Sequence, residues 1–414
     1  MNSAHRPLAM SKHFFTPGVI VLILLALNGF VFLLVRFLFG IGYVTNLSDQ
    51  YPWGIWIAID VAAGVALAAG GFTSAALGHV MHREHYQVVI RPALLTAMLG
   101  YTFAALAVCI DLGRWYYIWH PLIMWNGNSA LFEVGMCVMI YAMVLYTEFL
   151  PIAAERFIGR IKLKGILSWL NKPLDTLLRA VDRGLSRTMF IFIIAGVVLS
   201  TLHQSSLGTL MIIAGQKIHP LWQTPILPLL FLLSAVAVGF PMVILESMSA
   251  SRSFGLKPEM EVLSRLGSLM APLLSIYLAF KIGDMVIRES FVYLAEMNTA
   301  SVMFAIEVVV GVAIPLRMFL SEVVVRSRLW LFVAALLVVF GVLLNRINTF
   351  LVAYNPPYSV NPYFPSIGEI SVTVGFISTI VLLYRLYVKM FPVISVPVEV
   401  PAMQVKYAIR GGRS

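Results

Sequence analysis

Apolar residues gather along this chain in ten long stretches, at about 16–39, 54–78, 92–113, 130–153, 187–209, 225–247, 268–289, 301–320, 329–350 and 367–391. Each reaches about 20 residues, the length a helix needs to cross a hydrocarbon core about 30 Å thick. The pattern predicts an all-α integral membrane protein with ten transmembrane helices in a single polytopic domain over residues 1–414. No low-complexity tract or separate soluble domain interrupts it. The interval from Ala154 to Ser186 reads as an amphipathic segment lying on the membrane surface. Arg6 and Lys12 precede the first apolar run, which lacks a small-residue cleavage site, so it is expected to be retained as the first helix.

Composition agrees, since 60% of residues are AVILMFWYC and 12% are charged, against about a quarter charged in soluble domains. The 29 Lys+Arg exceed the 19 Asp+Glu, but no basic stripe with interleaved aromatics accompanies the excess, so no nucleic acid is expected as a partner. The excess reports orientation instead. With a cytoplasmic N-terminus, 23 of the 29 basic residues fall in or beside the even-numbered loops and tails, leaving Arg36, Arg114, Lys217, Lys281, Arg288 and Arg346. The positive-inside rule therefore predicts an N-in, C-in protein. The outside loops read YPWG from Tyr51, DLGRWYYIWHP from Asp111, KIHPLW from Lys217 and YNPPYSVNPYFP from Tyr354. Their aromatics suit an interfacial belt, and their Pro and Gly suit a shaped docking surface or pocket roof.

Ionisable groups at membrane depth are costly and mark functional positions. In the inferred orientation, Asp60, Asp111, Arg114, Glu133, His203, Lys281, Asp284, Arg288, Glu307 and Arg346 lie in the outer half, and Glu148, Glu246 and Arg91 near the inner side. In span two, Asp60 heads a stripe with Gly64, Ala68, Gly71, Ala75 and Gly78 at one-face spacing, so it is expected to face protein rather than lipid. In span seven, Lys281, Asp284 and Arg288 are spaced for an ion-pair ladder. In span four, Glu133, Tyr141 and Glu148 fall within about 80° of each other, with about 22 Å between the carboxylates. That face suits a proton route between the two membrane surfaces, or two carboxylates each paired with a basic neighbour.

Cys109 and Cys137 both lie in apolar runs, so no spacing for zinc, c-type haem or an iron–sulfur cluster exists, and any metal centre must come from a partner. His203 is the only histidine within a predicted span, so paired axial ligands for a b-type haem are missing too. Its imidazole suits a hydrogen bond to a ligand carbonyl, proton exchange, or plain packing.

The blocks PWGIWIAIDV around Asp60, RPALL at Arg91, DLGRWYY at Asp111, NSALFEVGMC around Glu133, HQSSLGTLM at His203 and HPLW at His219 occur in order along nearly the whole chain. Together they resemble the NrfD/PsrC family of membrane quinone-reactive subunits, most closely its HybB branch from nickel–iron hydrogenase complexes, with DsrP-type subunits related. The resemblance implies two four-helix bundles plus two additional helices and a quinone site near the periplasmic face. It also implies electron exchange with a periplasmic four-cluster ferredoxin-like iron–sulfur subunit, and a catalytic subunit such as a nickel–iron hydrogenase or another periplasmic oxidoreductase. By motif, Glu133 matches a family glutamate implicated in proton handling, and Asp60, Asp111, Arg114 and His203 match polar positions of the outer pocket.

The resulting expectation is a quinone/quinol-reactive subunit of a respiratory complex in a bacterial or archaeal cytoplasmic membrane, with menaquinone or ubiquinone as substrate. Glu133, His203 and Asp111 are the expected catalytic groups. Asp60, Arg114, His203, Gln204 and Trp53 line the expected quinone pocket, and Glu133, Tyr141, Glu148 and Glu246 a proton path. No metal site is expected. The alternatives are an ion-coupled secondary transporter, whose site belongs near the midplane on broken helices, and a structural anchor for a periplasmic enzyme.

Overall fold

The computed structural model of the chain describes residues 5–10, 13–75, 86–161, 164–359 and 362–397. Among them, 10 helices are long and apolar enough to cross a membrane. They are α1 (Pro17–Phe39), α2 (Trp56–Ser74), α3 (Gln87–Asp111), α4 (Ala130–Phe157), α5 (Asn171–Ile213), α6 (Leu227–Phe254), α7 (Met260–Ile287), α8 (Thr299–Phe319), α9 (Arg328–Val352) and α10 (Ile367–Met390). A helix satisfies its own backbone, which is why apolar runs of this length fold this way where water is absent. Gly78 and the end of the predicted second span lie outside the described residues.

Two boundaries depart from the pattern. The interval from Ala154 to Ser186 is not a separate surface segment but is divided among the end of α4, a 3-10 turn over Gly165–Leu170 and the start of α5. Pro173 sits in the first turn of α5, where its missing N–H breaks no bond, so nothing stops the helix from running on into the apolar stretch. Its 43 residues make a rod about 64 Å long, about twice the hydrocarbon thickness. Asp175 fastens its base, accepting from Gly159 N at 2.6 Å and pairing with Arg179 at 2.8 Å. The second departure is α7, which starts at Met260 with an amphipathic segment, Met260–Ser268, whose charges hide it from the apolar pattern. Val262, Leu263 and Leu266 are buried there, while Arg265 and Glu261 pair on the outside.

β1 (His5–Leu8) pairs antiparallel with β2 (Ile394–Pro397), so both described ends share one face, here the terminal face. The loops around 40–54, 112–129, 214–226, 288–298 and 353–366 form the opposite, distal face. There the loops after α5 and α9 are strapped together by an Ile218–Tyr354 bridge and by Asn355 N donating to Lys217 O at 2.7 Å. α1 packs against α10, α4 against α5, and α6 against both α5 and α9. Wide π-turns occur in α2 (Trp56–Ala63), α8 (Val309–Ala313) and α9 (Asn348–Val352).

Close helix approach relies on small residues. Gly311 of α8 and Gly341 of α9 meet so tightly that a Cβ on either would strike the other's Cα. A Gly341→Val protein is therefore expected to lose about 1–3 kcal/mol by overpacking, read as a fall of several degrees in the melting temperature of the detergent-solubilised chain. Gly18→Ala, where a Cβ meets nothing within 4 Å, should melt like the parent.

Candidate functional site

Three buried polar groups stand between the helices. The first lies among α3, α4 and α5. His203 is 0% exposed, and its Nδ1 is 3.3 Å from the Tyr101 hydroxyl. That hydroxyl is in turn 3.4 Å from Ser200 Oγ, and the Tyr101 ring meets Tyr141 edge-on at 4.4 Å. Gly196 lets the column continue, because a Cβ there would stand 3.1 Å from Glu148 Oε1 and 3.3 Å from Tyr141 Cε2. Among the described residues, His203 Nε2 and both amide atoms of Gln204 are buried without a hydrogen-bond partner. Four expected residues, His203, Gln204, Tyr141 and Glu148, thus come together, and Glu148 forms no ion pair with Lys or Arg among the described residues.

Glu133 does not join them. It stands exposed in the first turn of α4, just past the Ser129 cap. Glu246 is separate as well: it faces Tyr384 of α10 and Thr96 of α3. It also lines a cleft of about 330 Å³ whose wall includes Lys257, Ser395 and Tyr384 on the terminal side.

The second group lies where α1, α2, α3 and α10 meet. Asp60 is buried as expected and accepts from Thr373 Oγ1 at 2.6 Å. Arg36 closes the end of α3, donating to Ile110 O at 2.7 Å and Leu112 O at 2.5 Å, where the helix dipole favours a cation. Asp111 is beside it with one buried carboxylate oxygen unpartnered among the described residues. Glu369 completes a capping box with Ser366 and accepts from Asn46 N at 3.0 Å and from the Tyr363 hydroxyl at 2.5 Å. Burial and the bond to Glu369 push the Tyr363 hydroxyl well above its usual range. Arg114 is exposed in the loop after α3 and does not reach this group, whereas Trp53 is half-buried against Phe350 and Tyr354.

The third group centres on Glu307 of α8, 1% exposed. It receives Lys281 of α7, Trp222 Nε1 at 2.9 Å, Asn345 Nδ2 at 2.8 Å and Asn348 Nδ2 at 2.8 Å. Beside it Arg346, 0% exposed, bonds neutral acceptors alone among the described residues: Asn345 Oδ1 at 2.5 Å, Ser234 Oγ at 3.0 Å and Phe231 O at 3.1 Å. The expected ladder in α7 is therefore split. Arg288 pairs with Asp284 at 2.7 Å, and Lys281 turns away to Glu307, the buried carboxylate of the neighbouring helix, whose charge needs a cation beside it.

Above the third group, at the distal face, opens a cleft of about 870 Å³ between Ile55 and Ile59 of α2, the Gln216–Pro220 loop, Ile347 and Leu351 of α9, and Pro362–Pro365. None of the expected quinone-pocket residues is on its lining.

Glu369 leaves a readable trace in the sequence, the S-x-x-E pattern of a capping box before an apolar run. Trp222 falls inside the HPLW block, though nothing there points to its carboxylate partner, and Tyr101, Ser200, Asn345 and Asn348 leave no trace. No cluster of three or more His, Cys, Asp or Glu that could hold a metal occurs among the described residues. Breaking a buried pair strands a charge, so Lys281→Met is expected to cost about 3–5 kcal/mol, measured as lost monodisperse protein on size-exclusion chromatography. Lys281→Met combined with Glu307→Gln should recover part of it.

Residues 43–355 match the family described as Polysulphide reductase, NrfD. The chain is 33% identical over 385 residues to the probable Ni/Fe-hydrogenase 2 b-type cytochrome subunit of Escherichia coli K12, spanning 92% of this chain and 91% of that one. It is 31% identical over 254 residues to the menaquinone reductase integral membrane subunit of Nitratidesulfovibrio vulgaris, spanning 59% of this chain and 56% of that one. A selenate reductase subunit of Mesobacillus selenatarsenatis is 25% identical over 422 residues, spanning 94% of this chain and 96% of that one. The match across three quarters of the sequence and the near full-length similarity make this multi-pass integral membrane protein a member of the NrfD family.

Proposed function

We propose that the chain is the quinone/quinol-reactive membrane subunit of a respiratory oxidoreductase complex. It would exchange electrons between an iron–sulfur subunit at the distal face and the quinone pool, with the catalytic subunit beyond. The similarity to membrane subunits named for a hydrogenase, a menaquinone reductase and a selenate reductase carries this reading. Assigning the distal face to the periplasm is supported by the Lys and Arg gathered in the opposite loops. The arrangement of two four-helix bundles plus an α1–α10 pair is supported by the packing of α1 on α10 and of α4 on α5.

Quinone reduction needs protons as well as electrons, and the protein's share is to bind, orient and supply them. The column from Gln204 and His203 through Tyr101 and Tyr141 to Glu148 supports the proton-handling role, since it strings ionisable and hydroxyl groups along about 12 Å of α5. Full burial of His203 favours that role over direct contact with a headgroup. Glu246, reached from the terminal face by its cleft, is the proposed second uptake point. Asp60 and Asp111 act as electrostatic support, and exposed Glu133 and Arg114 lie where a partner subunit docks. A transporter reading is disfavoured by the separation of these groups into three clusters, with no single midplane site.

In membrane vesicles holding the assembled complex, Tyr101→Phe and Glu148→Gln should slow quinone turnover about 100-fold or more, the usual size of a general acid–base contribution. Wild-type turnover in both variants, with partners still bound, would leave the anchor reading standing. Cysteine placed at exposed Tyr358 should react with an impermeant maleimide from the periplasmic side of intact cells; labelling only after lysis reverses the assigned faces.

A further inference from the structure

The base of α5 precedes the apolar stretch of that helix, and its two sides differ. Leu174, Leu178, Val181 and Leu185 recur every three or four residues and are half-buried. About half a turn away, Lys172, Arg179, Arg183 and Arg187 lie within about 80° of one another, and all four are exposed. This basic stripe rises about 22 Å along the helix. The same side then continues as Phe190 and Ile194, which are exposed and apolar. The change from basic to apolar between Arg187 and Phe190 marks the edge of the hydrocarbon core on this helix. Arg187 and Arg183 therefore stand about 5 and 10 Å outside that edge, close enough to lipid phosphates for their charges to act within about a Debye length.

The end of α4 widens the patch. Asp175 accepts from Gly159 N, and a Cβ on Gly159 would stand 3.6 Å from the Arg179 guanidinium. Arg160, the next residue in the chain and exposed, thus lies beside the stripe. Arg179 pairs with Asp175, but Arg160, Lys172, Arg183 and Arg187 form no ion pair among the described residues. Cations at a membrane surface with no counter-ion in the protein attract anionic headgroups, and a guanidinium matches the oxygens of a phosphate.

We infer that the base of α5 and the end of α4 hold the headgroups of anionic phospholipids, with Arg183 and Arg187 on the phosphates nearest the bilayer edge. The stripe runs without a break into apolar residues on the same side of one helix, so its occupant presents an anionic end joined to an apolar body. That description fits a lipid better than a soluble acidic protein. The inference goes beyond the quinone reading and stands independently of it.

The test uses the purified full-length chain in neutral detergent, with phosphatidylglycerol or phosphatidylcholine added and bound lipid read by native mass spectrometry. The parent chain should bind phosphatidylglycerol about tenfold or more tightly than phosphatidylcholine. Arg183→Gln combined with Arg187→Gln should raise Kd for phosphatidylglycerol about 25-fold, roughly fivefold per cation. Arg183→Lys combined with Arg187→Lys keeps the charge and should restore most of the affinity. Arg317→Gln combined with Arg328→Gln removes the same charge from exposed positions elsewhere on the terminal face and should leave binding unchanged. Equal affinity of the parent for the two lipids would overturn the site without recourse to any substitution. Equal losses in the two Gln pairs would overturn it too, by reducing the effect to net charge. Full competition by millimolar inorganic phosphate would assign the stripe to free anions. Loss of a subunit from the assembled complex of the Arg183→Gln, Arg187→Gln protein, with phosphatidylglycerol binding intact, would assign it to a protein partner; both results overturn the lipid.

Discussion

One carboxylate, Glu307, organises the half of the protein built from α6 to α9. A buried carboxylate in an apolar interior is tolerable only when paired and hydrogen-bonded on both oxygens. Here the donors come from α7 (Lys281), the loop before α6 (Trp222) and two turns of α9 (Asn345 and Asn348). Satisfying one side chain therefore fixes the relative height and rotation of three helices and a loop. The π-turn at Asn348–Val352 belongs to the same constraint, since widening the last turn of α9 accompanies the placing of Asn345 and Asn348 on one acceptor. The Gly311–Gly341 contact then lets α8 and α9 approach closely enough for those bonds to form.

What is legible in the residues alone divides along a physical line. Apolar length is a local property, so each of the ten helices can be read from it, and the run of small neighbours puts Asp60 on a packed face, where it lies. Helical phase gives the angle between two residues of one helix but not which way either faces. Glu133 and Tyr141 share a side of α4, yet one is exposed and the other sealed. Pairing between helices is invisible to spacing, and so spacing assigns Lys281 to Asp284 when its partner is on α8. Tyr101 does not stand out from the 16 tyrosines of the chain, because its importance comes from what α5 brings to it.

The two faces of the molecule are finished in different ways. At the distal face, aromatic and proline-rich loops are stitched to each other by backbone bonds, giving a firm surface with a cleft let into it. At the terminal face, charge does more of the work: Arg91 bridges Glu155 at 2.7 Å and also donates to Pro392 O, and Arg385 reaches Ser253 and His13 O.

The β1–β2 pairing has a consequence for biosynthesis. His5 is held against Pro397, and α1 packs its Gly29 on Gly375 of α10. Because the chain leaves the ribosome N-terminus first, α1 enters the bilayer with neither of these partners in existence, and waits through the insertion of eight further helices. During that interval the groove around Gly29 is open to lipid or to a chaperone, and it closes only when the last helix arrives. The clasp at the terminal face thus forms only after α10 is in place, between the first and last described segments of the chain.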